Sequence, residues 1–306
     1  GMVDPYLFEI FSYSSSFMSL LLLLTLSIFV PLLIWKLKKI SHLSFTHSPK
    51  SKLKRIPYFT RLWDLKFTPS IFFPGGHMQT CVLPFLTFKE YGKRHQWTFY
   101  YEREILKLSD GGQIALDWAF PRNPDKASRI SDDKTPILAV VPGLTGHNDD
   151  LYMVSTSMSA VENDYKLVML NHRGCSNSKL TTPRFYWAGT TEDLQQAVTY
   201  ISKIYPNRDI YLLGFSIGAN VLSNYLAKLG EKVPVKAAMC VGNPYDLIKV
   251  SEMVGGKLFG LYNKVFTRNL VKKYKQHLET LKPLEEKLDI KLEEALQDMK
   301  TVRQLD

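Results

Sequence analysis

Ser216 lies in Gly214-Phe215-Ser216-Ile217-Gly218, directly after the apolar run Asp209-Ile210-Tyr211-Leu212-Leu213 and directly before a helix-like run beginning Ala219-Asn220-Val221-Leu222. A serine hydroxyl is a poor nucleophile at neutral pH, so it must be exposed on a sharp strand-to-helix turn, with small neighbours that let the backbones pass closely. The spacing therefore predicts a nucleophile elbow, against the plain alternative of a small-residue packing turn. A second segment has matching character. Pro136-Ile137-Leu138-Ala139-Val140-Val141 reads as an apolar strand running into Pro142-Gly143-Leu144-Thr145-Gly146-His147, a loop of the kind that presents backbone N–H groups to a developing negative charge. An ordinary strand-to-helix turn is the alternative there, because Pro-Gly is common punctuation.

Further segments stand in a fixed order: His77-Met78-Gln79-Thr80, Tyr101-Glu102-Arg103-Glu104 before Asp110-Gly111-Gly112, Pro142 to Gly146, Asn171-His172-Arg173-Gly174-Cys175, Thr191-Glu192-Asp193-Leu194 and the elbow. As an ordered set over roughly residues 70 to 245, they resemble the membrane-anchored α/β-hydrolase lipases, the group with a medium-chain phosphatidylcholine phospholipase and a monoacylglycerol lipase. The resemblance implies an α/β-hydrolase fold, a mostly parallel sheet covered by helices on both faces. It also implies Ser216 as nucleophile, with Leu144 and Ile217 supplying the oxyanion-hole N–H groups. No cofactor and no metal is expected.

In the order this fold uses, the catalytic acid and histidine follow the nucleophile on loops after later strands. Only 90 residues follow Ser216, with one clear strand at Val235 to Val241 and a single histidine, His277, in Lys272-Lys273-Tyr274-Lys275-Gln276-His277-Leu278. That stretch reads as a basic helix face, so the acid and the base are expected to be absent from these residues, together with the last strands. His172 precedes the nucleophile and is not expected to be the base; Arg173 reads as a structural ion-pair residue. Truncation of an active hydrolase is favoured over natural loss, given the start Gly1-Met2 and the ending Val302 to Asp306. The function expected is hydrolysis of carboxylic esters of membrane lipids through an acyl-enzyme on Ser216. The alternative is a non-catalytic membrane-anchored pseudohydrolase that binds a lipid or a sterol, and an acyltransferase comes third.

From Phe17 to Trp35 run 19 uncharged, Leu-rich residues, long enough to cross a bilayer, followed at once by Lys36, Lys38 and Lys39. A cleaved signal peptide is the alternative, but a basic n-region and a small-residue cleavage site are missing. Eight basic and no acidic residues lie between Lys36 and Arg61, against a net charge of +10 for the 306 residues. The excess is juxtamembrane, suited to anionic headgroups rather than to nucleic acid. The positive-inside rule then puts the hydrolase domain in the cytosol, on the endoplasmic reticulum or another endomembrane. The expected organisation is a short tail (1–16), a signal anchor (17–35), a basic linker (36–69) and the hydrolase domain (70–306), with 247–306 as cap and helical segment. Within that cap, Gly255 to Tyr262 and Val265-Phe266 form an apolar, glycine-hinged stretch, read equally well as a lid or as a helix packed on the sheet. Cys81, Cys175 and Cys240 are widely spaced and read as reduced, structural thiols. Strands are expected near 96–108, 113–120, 136–141, 166–170, 210–213 and 235–241. Nothing in the sequence fixes an oligomeric state.

Overall fold

The computed structural model describes residues 5–38, 41–42, 65–67, 75–81, 98–256 and 260–305. Contacts divide the chain into two units, Gly1–Thr87 and Phe88–Asp306. The first contains helix α1 (Pro5–Lys38), which takes in most of the expected tail as well as the apolar stretch. Its window Met18–Trp35 has a mean hydropathy of 2.4 and none of it is buried. Two hydroxyls of this window are satisfied within the helix, Thr25 Oγ1 donating to the Leu21 and Leu22 carbonyls and Ser27 Oγ to that of Leu24, as a helix in hydrocarbon requires. Most of the basic linker lies outside the described residues; Ser41–His42 pairs antiparallel with Lys66–Phe67. The expected motif His77 to Thr80 falls in a short helix at 76–81.

The second unit holds a six-stranded sheet: β1 (Phe99–Lys107), β2 (Gln113–Pro121), β3 (Ile137–Val141), β4 (Lys166–Leu170), β5 (Ile210–Phe215) and β6 (Ala237–Val241), in the spatial order β1-β2-β4-β3-β5-β6. β1 and β2 form an antiparallel hairpin, β2 meets β4 antiparallel, and the remaining pairings are parallel. The hairpin turns at Asp110-Gly111-Gly112, where Leu108 N–H donates to the Gly112 carbonyl at 2.8 Å and Asp110 Oδ1 accepts from Gly112 N–H.

Parallel strands need covering on both faces, and their side chains alternate accordingly. On one face Ile137, Ala139 and Val141 of β3 pack with Leu194, Ala197, Val198 and Ile201 of α4 (Glu192–Ile204) and with Val221, Leu222 and Tyr225 of α5 (Ile217–Leu229). On the other, Val140 of β3 and Leu167 and Met169 of β4 pack with Met153, Val154, Ala160 and Val161 of α3 (Leu151–Glu162). A short helix α2 (Pro124–Ser131) follows β2, capped by Asn123. After β6 come α6 (Leu247–Gly256), α7 (Leu261–Lys275), α8 (Leu278–Leu281), α9 (Pro283–Leu288) and α10 (Leu292–Asp298). Among the described residues β6 pairs only with β5, and its first three residues are exposed.

Candidate active site

The elbow is imposed by contact, not only by propensity. Ser216 has φ 52 and ψ −119, a conformation that costs a non-glycine residue on the order of 1–3 kcal/mol and persists only where surroundings enforce it. Ser216 N–H donates to the Val241 carbonyl of β6 at 2.9 Å, and its own carbonyl accepts from Asn220 N–H in the first turn of α5. The flanking glycines are sterically required. A Cβ on Gly214 would meet the Ala219 Cα at 2.7 Å, and one on Gly218 would stand 2.3 Å from both the Val141 and Pro142 carbonyl oxygens. The second of these contacts ties the elbow to the loop after β3. The Ser216 side chain is left exposed at the C-terminal end of the sheet.

The loop from Pro142 to Gly146 runs directly beside it: a Cβ placed on Gly143 would lie 3.4 Å from the Ser216 Cβ. Among the described residues, the Leu144 and Ile217 N–H groups make no hydrogen bond. Ile217 opens α5, so its amide also carries the positive end of the helix dipole. Leu144, Ile217 and Ser216 line one cavity of about 950 Å³. Its walls are mostly apolar, with Tyr152 and Phe215 on the sheet side and Leu247, Ile248, Phe266 and Tyr274 from α6 and α7 opposite. The cap stretch expected from the sequence thus forms part of the cavity wall; residues 257–259 lie outside the described set.

Three charged groups stand in this wall that sequence reasoning did not single out, Asp150, Glu252 and Arg303. Asp150 Oδ2 accepts from His147 N–H at 2.8 Å, and burial raises its carboxyl above the ordinary range despite that bond. No described histidine lines the cavity.

His277 is not on a helix face as expected. Helix α7 stops at Lys275, and His277 occupies the turn before α8 with φ −122. Its half-buried ring meets Phe185, and Nε2 bonds the Gly174 carbonyl at 2.8 Å. Because a carbonyl only accepts, Nε2 carries the proton there. His172 is likewise engaged: Nε2 donates to the Pro142 carbonyl at 3.0 Å and the ring stacks on Tyr186, centroids 4.3 Å apart. Burial holds its pKa below the ordinary 6.5, the bond to Pro142 opposing the shift. Arg173 is an ion-pair residue, buried and held by Asp193 (Nε–Oδ2 2.6 Å) and Asp110 (Nη1–Oδ2 2.7 Å). Two carboxylates compensate its desolvation, fastening the loop after β4 to both the hairpin turn and the start of α4. The three cysteines are free, Cys175 buried; burial pushes its thiol up to about 12, so it is no nucleophile. Among the described residues no cluster suits a metal ion.

A family model described as alpha/beta hydrolase fold matches residues 136–286. Among characterised sequences, the chain is similar to Protein abhd-3.2 of Caenorhabditis elegans, 31% identical over 272 residues that cover 87% of this chain and 69% of that protein. It is similar to the monoacylglycerol lipase of Saccharomyces cerevisiae, 30% identical over 268 residues, covering 76% of this chain and 58% of that one. It is also similar to Phospholipase ABHD3 of Mus musculus, 32% identical over 212 residues, covering 69% and 49%. The chain spans about half the length of most of the curated relatives it matches.

Proposed function

Since this chain belongs to the α/β-hydrolase family, we propose that it is a serine hydrolase that cleaves carboxylic esters of membrane lipids through an acyl-enzyme on Ser216. The observation that carries the reading is the conjunction at one point of a strained, exposed serine and two amides without partners, inside an apolar cavity. Ser216 Oγ attacks the ester carbonyl, and the C=O oxygen takes up negative charge between the Leu144 and Ile217 N–H groups. Collapse of the tetrahedral adduct expels the alcohol, which takes up the proton that the Ser216 hydroxyl gave up on attack, and water then releases the acid from the acyl-serine by the same steps, its proton returning to Ser216 Oγ. Preorganised amides matter most here, because each oxyanion donor contributes on the order of 10²–10³ in rate. None of the described histidines is assigned the role of general base. The apolar cavity walls and the relatives named as a monoacylglycerol lipase and a phospholipase support an acyl-lipid ester. The exposed apolar window of α1 supports a single-pass membrane anchor, and the positive-inside rule applied to the basic residues after it favours a cytosolic hydrolase unit on an endomembrane.

The lack of a described histidine in the cavity wall favours a second reading, a membrane-anchored pseudohydrolase that binds a lipid or a sterol. Reaction with a fluorophosphonate probe separates the two. Label should map to Ser216, and Ser216→Ala should remove both labelling and ester hydrolysis; hydrolysis undiminished in Ser216→Ala overturns the serine reading.

A further inference from the structure

The loop after β3 contains four amides, those of Gly143, Leu144, Thr145 and Gly146, since Pro142 has none. Three are taken. Gly143 N–H donates to the Tyr152 hydroxyl at 3.1 Å, Thr145 N–H to the Tyr186 hydroxyl at 2.8 Å, and Gly146 N–H to the Gly143 carbonyl at 3.0 Å. The remaining polar group at the loop's start, the Pro142 carbonyl, accepts from His172 Nε2. We infer that Tyr152, Tyr186 and His172 are positioning residues that clamp this loop from both sides so that Leu144 alone presents its N–H to the cavity.

The inference rests on the reading of Ser216 as nucleophile and adds to it the side chains that build one half of the oxyanion hole. The arrangement has a physical reason. Thr145 is held at φ 54, a left-handed conformation that a β-branched residue avoids, so without a fixed acceptor the Thr145 peptide would relax and carry the adjoining Leu144 amide with it. The acceptor is itself anchored. Tyr186 is buried and its ring lies 8° from coplanar with His172. Tyr152 stands in the first turn of α3, its ring edge-on to Phe215, the residue before the nucleophile, at 4.9 Å. The two hydroxyls thus reach the loop from different elements, α3 and the segment after β4. His172 is the third contact, and Arg173 beside it is locked by Asp110 and Asp193.

The test is the kinetics of fluorophosphonate labelling in Tyr152→Phe, Tyr186→Phe and the double variant, with Tyr165→Phe as control. Each clamp variant should lower the limiting labelling rate by about tenfold, less than the about 10²–10³ expected for removing an oxyanion donor outright, with an unchanged half-saturating probe concentration. The double variant should be slower than either single one, while Tyr165→Phe should match the wild type. If Tyr186→Phe fails to fold, Tyr152→Phe alone decides. Limiting rates equal to wild type in folded clamp variants overturn the inference while leaving the serine reading intact. An equal loss in Tyr165→Phe also overturns it, because the effect would then follow general packing. Absence of label from wild-type Ser216 overturns the serine reading, and the clamp with it.

Discussion

The two walls of the Ser216 cavity are built on different principles. On the sheet side, β3 and β5 are buried, the loop after β3 has every amide but one engaged, and the elbow is fixed by contacts near the van der Waals limit. On the opposite side α6 buries none of its residues, and Ile248, Met253, Leu261 and Val265 are exposed. A wall that must hold two amides within a few tenths of an ångström of a transition state needs dense packing and paired polar groups. A wall that only has to contact an acyl chain needs apolar area, and flexible contact suffices.

The largest effect should come from adding one carbon to each wall. In Gly218→Ala the new Cβ would meet two backbone oxygens at 2.3 Å, whereas a Cβ on Gly255 of α6 would meet nothing within 4 Å among the described residues. Gly218→Ala should destabilise the fold by about 3 kcal/mol and abolish Ser216 labelling. Gly255→Ala should leave stability unchanged or raise it by up to about 1 kcal/mol. Denaturant melts of the two variants check this, and equal losses would erase the contrast between the walls.

A second effect concerns the base. His277 bonds the Gly174 carbonyl and does not line the cavity, so His277→Ala should not change the rate of Ser216-dependent ester hydrolysis. An abolished rate in His277→Ala would make His277 the base.

Third, Ile248→Ser on the open wall should raise KM for long-chain esters by about fivefold, corresponding to roughly 1 kcal/mol of lost apolar contact. Short-chain esters and the melting temperature should be unaffected. An equal loss for short chains would place Ile248 in the fixed wall.

The last effect is a pH dependence confined to the fixed wall. The pKa of His172 is lowered in the folded state, so the unfolded chain binds the extra proton first. The His172 contribution is fully present above about pH 6.5 and is lost as pH falls toward the depressed folded value. His172→Phe should therefore reduce the stability lost between about pH 7 and about pH 5 by up to about 2 kcal/mol. Denaturant midpoints across that range measure it, and parallel curves for variant and wild type would exclude His172 as the titrating group.

How much of this was legible in the sequence differs between the same two regions. The strands at 137–141, 166–170 and 210–215 carry apolar runs bounded by turn residues, and both the elbow and the loop at 142–146 follow from their ends. Local spacing encodes those features. The clamp was not legible, because Tyr186 reaches Thr145 across 41 residues and nothing in either neighbourhood marks the pairing. His277 was misread for a related reason. Lys272 to Leu278 contains no glycine or proline to announce the end of α7, and tertiary contacts with Phe185 and Gly174 end it instead. Helix α1 extends N-terminal to the apolar run because Tyr6 to Ser16 contains no breaker, and hydropathy alone marks only its central part.

The central claim is that Ser216 carries the acyl group. Mixing the protein with an activated fatty-acyl ester, quenching in acid and mapping peptides by mass spectrometry tests it directly. A single acyl adduct on the peptide containing Ser216, absent from Ser216→Ala, is the result this account predicts. Ester turnover with no adduct at Ser216, or with the acyl group on another side chain, would contradict it.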